Sequence, residues 1–171
     1  MNATAPTHTR DSEPTTSREI AALVAATGLG DAQILATLHA HGLRGETVPL
    51  LEWLPAIEVS WLGRADVAER HAVRMQYLGD DQATEAGMAF LDRWLSEPPP
   101  ARFLAAGRHA LRVRLQWLDP EVRAAAVTKM LARAEAAGRA SGSAFGVGAL
   151  SPAERALIQG LRHDLQPYSA S

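Results

Sequence analysis

The sequence predicts an all-α fold, a compact single-domain bundle of about seven to eight helices with two pseudo-repeated halves. Three observations point there. Ala, Leu, Arg and Glu, all strong helix formers, dominate the chain. Alternating apolar–polar runs that would mark strands are scarce. Capping residues stand repeatedly just ahead of apolar stripes with helical spacing.

Taken in order, "TSRE" places Thr16 as an N-cap with Glu19 three positions on, a capping box before "IAALVAATG". Gly28 stands where a C′ glycine ends a helix. Asp31 caps the second helix, "AQILATLHAHG", whose Ile34, Leu35 and Leu38 share one face. Thr47 starts the third, "VPLLEWLPAIEVSWLG", in which Leu50, Leu54, Ile57 and Trp61 keep helical phase and Glu58 lies beside the stripe. Pro55 removes one backbone bond there and crowds the preceding turn. The stripe keeps its phase across Pro55, so the expectation is one kinked helix rather than a short helix followed by a longer one. Asp66 with Glu69 forms another capping box, opening a helix to about Leu78. Thr84 opens a helix through Met88, Leu91 and Leu95, stopped by Pro98–Pro100. A long helix is expected from about Ala101 to Leu118. Asp119 then caps a helix with Pro120 at its favoured first position, running to about Gly138. "SGSAFGVGAL" reads as a tight connector, and Ser151, Pro152 and Glu154 open the last helix, to about Leu165. Trp61 and Trp117 sit at or beside these stripes and are expected in the core.

Length and composition bound the function. A chain of 171 residues that is 47% hydrophobic and 21% charged suits one globular core. With a net charge of -2 and a pI near 6.3, no field draws it to nucleic acid or an anionic membrane. Cysteine is absent, which removes disulfides, thiolate catalysis and Cys-ligated zinc, and fits a cytoplasmic location. "MNATAPTHTRDSEPTTS" lacks the apolar run of a signal peptide, and no stretch is long and apolar enough to span a bilayer. The expected organisation is a disordered tail over 1–16, a helical domain over 17–166 and a short tail over 167–171.

The motif search is largely negative. There is no P-loop, GxGxxG, HExxH or GxSxG, and no Glu is followed by His three residues later, as a di-iron bundle needs. The six histidines are scattered: His39 and His41 point to different faces, His71 and His109 fall on polar faces, and His163 lies near a helix end. They are expected to be solvated or at helix ends. The arginines of "RHALRVR" are expected on a solvated face with acidic neighbours. One constellation stands out. Glu58 ends one helix, Asp66 and Glu69 begin the next, and "WLGRA" joins them. Three carboxylates around one short turn are the oxygen-donor chemistry that Ca²⁺ or Mg²⁺ takes, although Asp66 and Glu69 already have a capping role.

"LPAIEVSWLGRADVAERHAV" resembles the core segment of TerB-like proteins, in which a Leu-Pro-led helix with Glu-Val-x-Trp precedes Ala-Asp-Gly, a short turn and an acidic capping box. "AEAAGRASGSAFGVGALSPAERALIQGL" is similar to the family's second half, and "LDRWLSEPPPARFLAAGRHALRVRLQ" to its middle, so the resemblance covers about Leu50 to Leu165. It implies an all-helical domain of two pseudo-repeated halves. It also implies a non-enzymatic module that acts through other proteins in stress or tellurite-resistance responses, with an acidic, cation-binding surface. Glu58 matches the helix-end Glu and Glu69 the capping-box Glu, while Asp66 takes a cap position where Ser is common. The chain departs from the pattern at Leu62-Gly63, where the family has Asp-Gly, and at Gly142-Ser143, where it has Gly-Gly. The partners expected are other proteins and a homo-oligomer, with no nucleic acid and no direct membrane insertion. A cation-assisted helical enzyme and a structural oligomerisation domain are the alternatives.

Overall fold

The computed structural model of the chain describes residues 12–62, 67–140 and 148–165. Among them are eight α-helices, one 3₁₀ segment and no strand: α1 (Ser12–Thr27), α2 (Ala32–Ala40), the 3₁₀ segment Gly45–Trp53, α3 (Leu54–Val59), α4 (Val67–Leu78), α5 (Glu85–Ser96), α6 (Ala101–Gln116), α7 (Pro120–Arg139) and α8 (Pro152–Leu165). The all-α prediction holds. No single helix among the described residues is long and apolar enough to cross a membrane.

The shortest helix lies at the centre. All six residues of α3 are buried, and it packs against α4, α6, α7, α8 and the 3₁₀ segment. Leu54 and Ile57 are at most 1% exposed. The expected kinked third helix is instead two elements, a 3₁₀ stretch and then α3. Pro55 starts α3 at a position where its missing N–H costs nothing. A second proline decides the rest: Pro49 lies inside the 3₁₀ segment, donates no backbone bond, and disfavours α geometry at Val48. With prolines at both 49 and 55, a continuous α ladder cannot form, and the apolar phase is met by tighter winding.

Helix starts follow the caps in most places. Asp31 Oδ1 accepts from the amides of Gln33 (2.8 Å) and Ile34 (3.1 Å). Thr84 Oγ1 accepts from Gly87 N at 3.0 Å. Ser151 and Glu154 form the full reciprocal box: Ser151 N donates to Glu154 Oε2 (2.7 Å) and Glu154 N to Ser151 Oγ (3.2 Å). Three expected starts fail: Thr47, expected to start the third helix, lies inside the 3₁₀ segment, whose first residue is Gly45. α1 starts at Ser12 rather than after Thr16, so five residues assigned to the tail are helical. Glu19 instead meets His39 Nε2 of α2 at 2.6 Å and Arg44 Nε, just ahead of the 3₁₀ segment, at 3.4 Å. Asp119 precedes α7 without a side-chain cap bond. Its neighbour Arg123 supplies the order there, donating to the carbonyls of Leu115, Gln116 and Leu118 at the end of α6.

Trp117 corrects a core assignment: it is 78% exposed. It is the residue that ends α6, and it lies over the α1–α2 corner, where a Cβ added to Gly28 would come 2.8 Å from its indole nitrogen. Gly28 turns that corner with φ +72°, a left-handed conformation that glycine adopts freely. Trp61 is half-buried, and its Nε1 donates to Trp94 O at 2.8 Å. The aromatic core is built around Trp94 and Phe103, stacked with centroids 4.6 Å apart. His41 joins that stack, 5.6 Å from Phe103 and 7% exposed, so it is a core histidine rather than a solvated one. Its Nδ1 bonds Thr37 O at 2.8 Å.

Candidate functional site

Glu58 is buried because α3 is: no side chain of a helix enclosed on every side reaches bulk water, and Glu58 is 7% exposed. A carboxylate so placed needs a counter-charge. Arg108, in the middle of α6, supplies it as a two-pronged clamp, with Nε 2.9 Å from Oε1 and Nη2 bonded to Oε2. Burial pushes the Glu58 carboxyl above the ordinary carboxylate range; the Arg108 bonds pull against that, and the charge of Asp164 on α8 adds to the rise. Arg108 is held further into its charged form by the same bonds to Glu58. One of the three arginines of "RHALRVR" is therefore a core partner rather than part of a solvated face.

The other two residues of the carboxylate constellation fare differently. Asp66 lies outside the described residues. Glu69, in the first turn of α4, is 1% exposed. Its counterpart in the last helix, Glu154, is 3% exposed and bonds the Ser151 amide. Gly138 makes room for it, since a Cβ there would stand 3.3 Å from Glu154 Oε2 and 3.0 Å from Val59 Cγ1. Helices α4 and α8 each pack on α3 and on α7, so both first-turn glutamates face inward. Among the described residues no group of three His, Asp or Glu side chains is placed to share a metal ion. Both Glu58 oxygens face a guanidinium, not an open coordination position.

A concave surface lies elsewhere, as a groove of about 580 Å³ between α7 and the end of α8. Its floor is apolar, made by Val127 and Leu131 of α7 and Leu165 of α8. Ala124, Thr128 and Ala132 form its exposed α7 wall. Spaced four apart, they share one face, and their small side chains leave α7 open to close approach. The rim is charged: Glu135 is shared by Arg139 at 3.2 Å and Arg162 at 3.7 Å, and Arg162 is 54% exposed. None of these was singled out from sequence. The spacing of small residues within "RAAAVTKMLARA" was the available signal, but an Ala-rich helix face carries the same pattern when nothing docks on it.

No family model matches this chain, and neither a curated protein nor a solved structure is significantly similar to it.

Proposed function

We propose that this chain is a non-enzymatic, cytoplasmic helical interaction module of TerB-like type, and that the α7–α8 groove receives an amphipathic helix of a partner protein. The groove carries the reading. It joins an apolar floor to a polar rim, the surface that an incoming helix with anchors at i, i+3, i+4 and i+7 fills. Around Glu135 two arginines face one carboxylate, which favours an incoming segment with acidic residues flanking its apolar face. The TerB-like resemblance supplies the setting, a stress or tellurite-resistance response with two related half-domains, and the inward first-turn glutamates of α4 and α8 are in keeping with it. The resemblance also implies a cation near Glu58, Asp66 and Glu69. The Glu58–Arg108 pair favours a structural role for Glu58 over that of a ligand.

The test uses a fluorescent fourteen-residue helical peptide with Leu at positions one, four, five and eight and Glu between them, measured by anisotropy. Micromolar binding is expected. Thr128→Arg and Ala132→Arg place long side chains across the groove from exposed positions, and each should weaken binding at least tenfold without changing the melting temperature. Absence of binding, or binding that both variants leave intact, would refute the groove as the docking site.

A further inference from the structure

The two faces of α7 differ in what the fold leaves open. One is taken up: Arg133, 8% exposed, lies 3.9 Å over the Trp53 ring and bonds Asp80, which also receives Lys129 Nζ at 3.1 Å. The other is the α7 wall of the groove, and it continues along the whole helix. Glu121, Ala124, Thr128, Ala132, Glu135 and Arg139 recur at steps of three or four, which keeps them on one side of α7. Five of them are exposed and Glu135 is half-buried. The middle of this face is small and already satisfied. Thr128 Oγ1 donates to Ala124 O at 2.8 Å, so covering Thr128 buries its methyl group and strands no hydroxyl.

The charge on this face is arranged by ends. At the start of α7, Asp119 and Glu121 stand with Arg123, whose guanidinium is turned onto the carbonyls at the end of α6. Two acids against one base leave an excess of one negative charge. At the other end Glu135 is shared by Arg139 and Arg162, one acid against two bases, an excess of one positive charge. Glu121 and Glu135 lie about 20 Å apart along the helix at about 1.5 Å per residue. That is more than twice the screening length of about 8 Å in physiological salt, so the two ends do not neutralise each other within one chain. A face that is negative at one end, positive at the other and small between is complementary to itself after a half-turn.

We propose that a second copy of this chain docks on this face: two α7 helices pack antiparallel about a two-fold axis at Thr128, and the dimer closes the α7–α8 groove to the partner helix. The inference rests on the reading of the groove as a docking surface and adds what regulates it. Across the axis Ala124 meets the partner's Ala132. Glu121 reaches the end of the partner's α7, where two guanidiniums share one carboxylate and can take a second. Parallel packing would set like ends together. Alanines at the crossing let the helix axes approach to about 8 Å, the close end of helix packing. The partner's α7 then lies against the apolar floor of Val127, Leu131 and Leu165. The face measures about 30 Å by about 20 Å, the length of α7 by two helix diameters, or about 600 Å² per copy. A standard interface takes about 800 Å² per copy, so the dimer is weak, with a dissociation constant on the order of tens of micromolar, and gives way to the partner helix.

The experiment is sedimentation equilibrium of the full chain from about 5 to 500 μM. A monomer–dimer equilibrium is expected, weakened several-fold between 50 and 500 mM NaCl as the exposed end charges are screened. Glu121→Lys makes both ends positive and Arg162→Glu makes both negative, each at an exposed position. Each should weaken dimerisation tenfold or more, with a melting temperature within a few degrees of wild type. The double variant carries the same charges with their signs exchanged and should regain the dimer to within about threefold. Saturating the wild type with the fourteen-residue peptide should convert it to a peptide-bound monomer. A chain that stays monomeric at 500 μM overturns the self-docking, and peptide binding to that monomer leaves the groove reading standing. A dimer that both single reversals leave intact, a double variant no more associated than the singles, or a peptide bound without dissociating the dimer would overturn it as well. A dimer that follows the charge exchange but takes no peptide supports the self-docking and refutes the partner helix alone.

Discussion

Arg108→Met keeps an apolar stem and removes the guanidinium from Glu58. The carboxyl is then buried without a counter-charge, 7% exposed inside a fully buried helix. Its penalty has a ceiling, because it can take up a proton rather than remain a naked charge. From the ordinary value of 4.5, protonation at pH 7 costs about 2.5 × 1.36, or about 3.4 kcal/mol. Arg108 is 34% exposed, so water already screens part of the pair, and the loss should fall below that ceiling, at about 1.5–3 kcal/mol. At pH 5 the ceiling is about 0.7 kcal/mol by the same arithmetic, so the loss should shrink to under about 1 kcal/mol. Urea unfolding at the two pH values reads this directly. The sign is specific. Glu58 is raised in the folded state, so its contribution is fully present below 4.5 and is lost as pH rises through its folded value. Adding Glu58→Gln to Arg108→Met should return stability at pH 7, because an amide replaces the unpaired charge. An Arg108→Met penalty of equal size at both pH values, or a double variant no more stable than the single one at pH 7, would refute this account of the pair.

Other outcomes follow from the same structure. Glu19 runs the opposite way: the His39 bond holds its carboxyl below 4.5, so the stability it contributes is lost as pH falls through that lowered value. Glu19→Gln should lower stability in the neutral region and flatten the acid limb below pH 4.5, so that its curve meets that of the wild type at low pH. Ser151→Ala removes half of the α8 capping box and should cost about 1 kcal/mol in urea, whereas Ser151→Gly should cost only a few tenths. Leu54→Ala opens a cavity beside the close approach of Gly107, whose added Cβ would stand 2.4 Å from Leu54 Cδ1, and should cost about 2–5 kcal/mol. Trp117→Phe should remove the emission most accessible to iodide and leave stability within about 1 kcal/mol, since that indole is 78% exposed.

The helices themselves were legible from local rules. Asp31, Thr84 and the Ser151–Glu154 box announce starts through bonds that close within three residues, and such bonds form wherever the chain is helical. Gly28 announces its turn because a left-handed backbone selects glycine regardless of surroundings. Pro49 and Pro55 together announced the broken third helix, and weighing Pro55 alone against the apolar stripe gave the wrong element. The limits of local reading show at Trp117, Glu58 and Arg133. A tryptophan at a helix end is core or surface according to what packs over it, and no neighbour in sequence decides that. For Glu58, beside a stripe, and Arg133, on a helix of mixed polarity, no neighbour in sequence names the partner. Their partners, Arg108 and Asp80, are 50 and 53 residues away. Capping and turn energies depend on a few successive residues, so the sequence by itself determined most of the helix starts and stops. Burial and charge pairing depend on which elements meet, so only the tertiary structure decided that α3 is the enclosed centre, that Glu58 is clamped, and that α7 carries an apolar groove on one face and the buried Arg133 on the other.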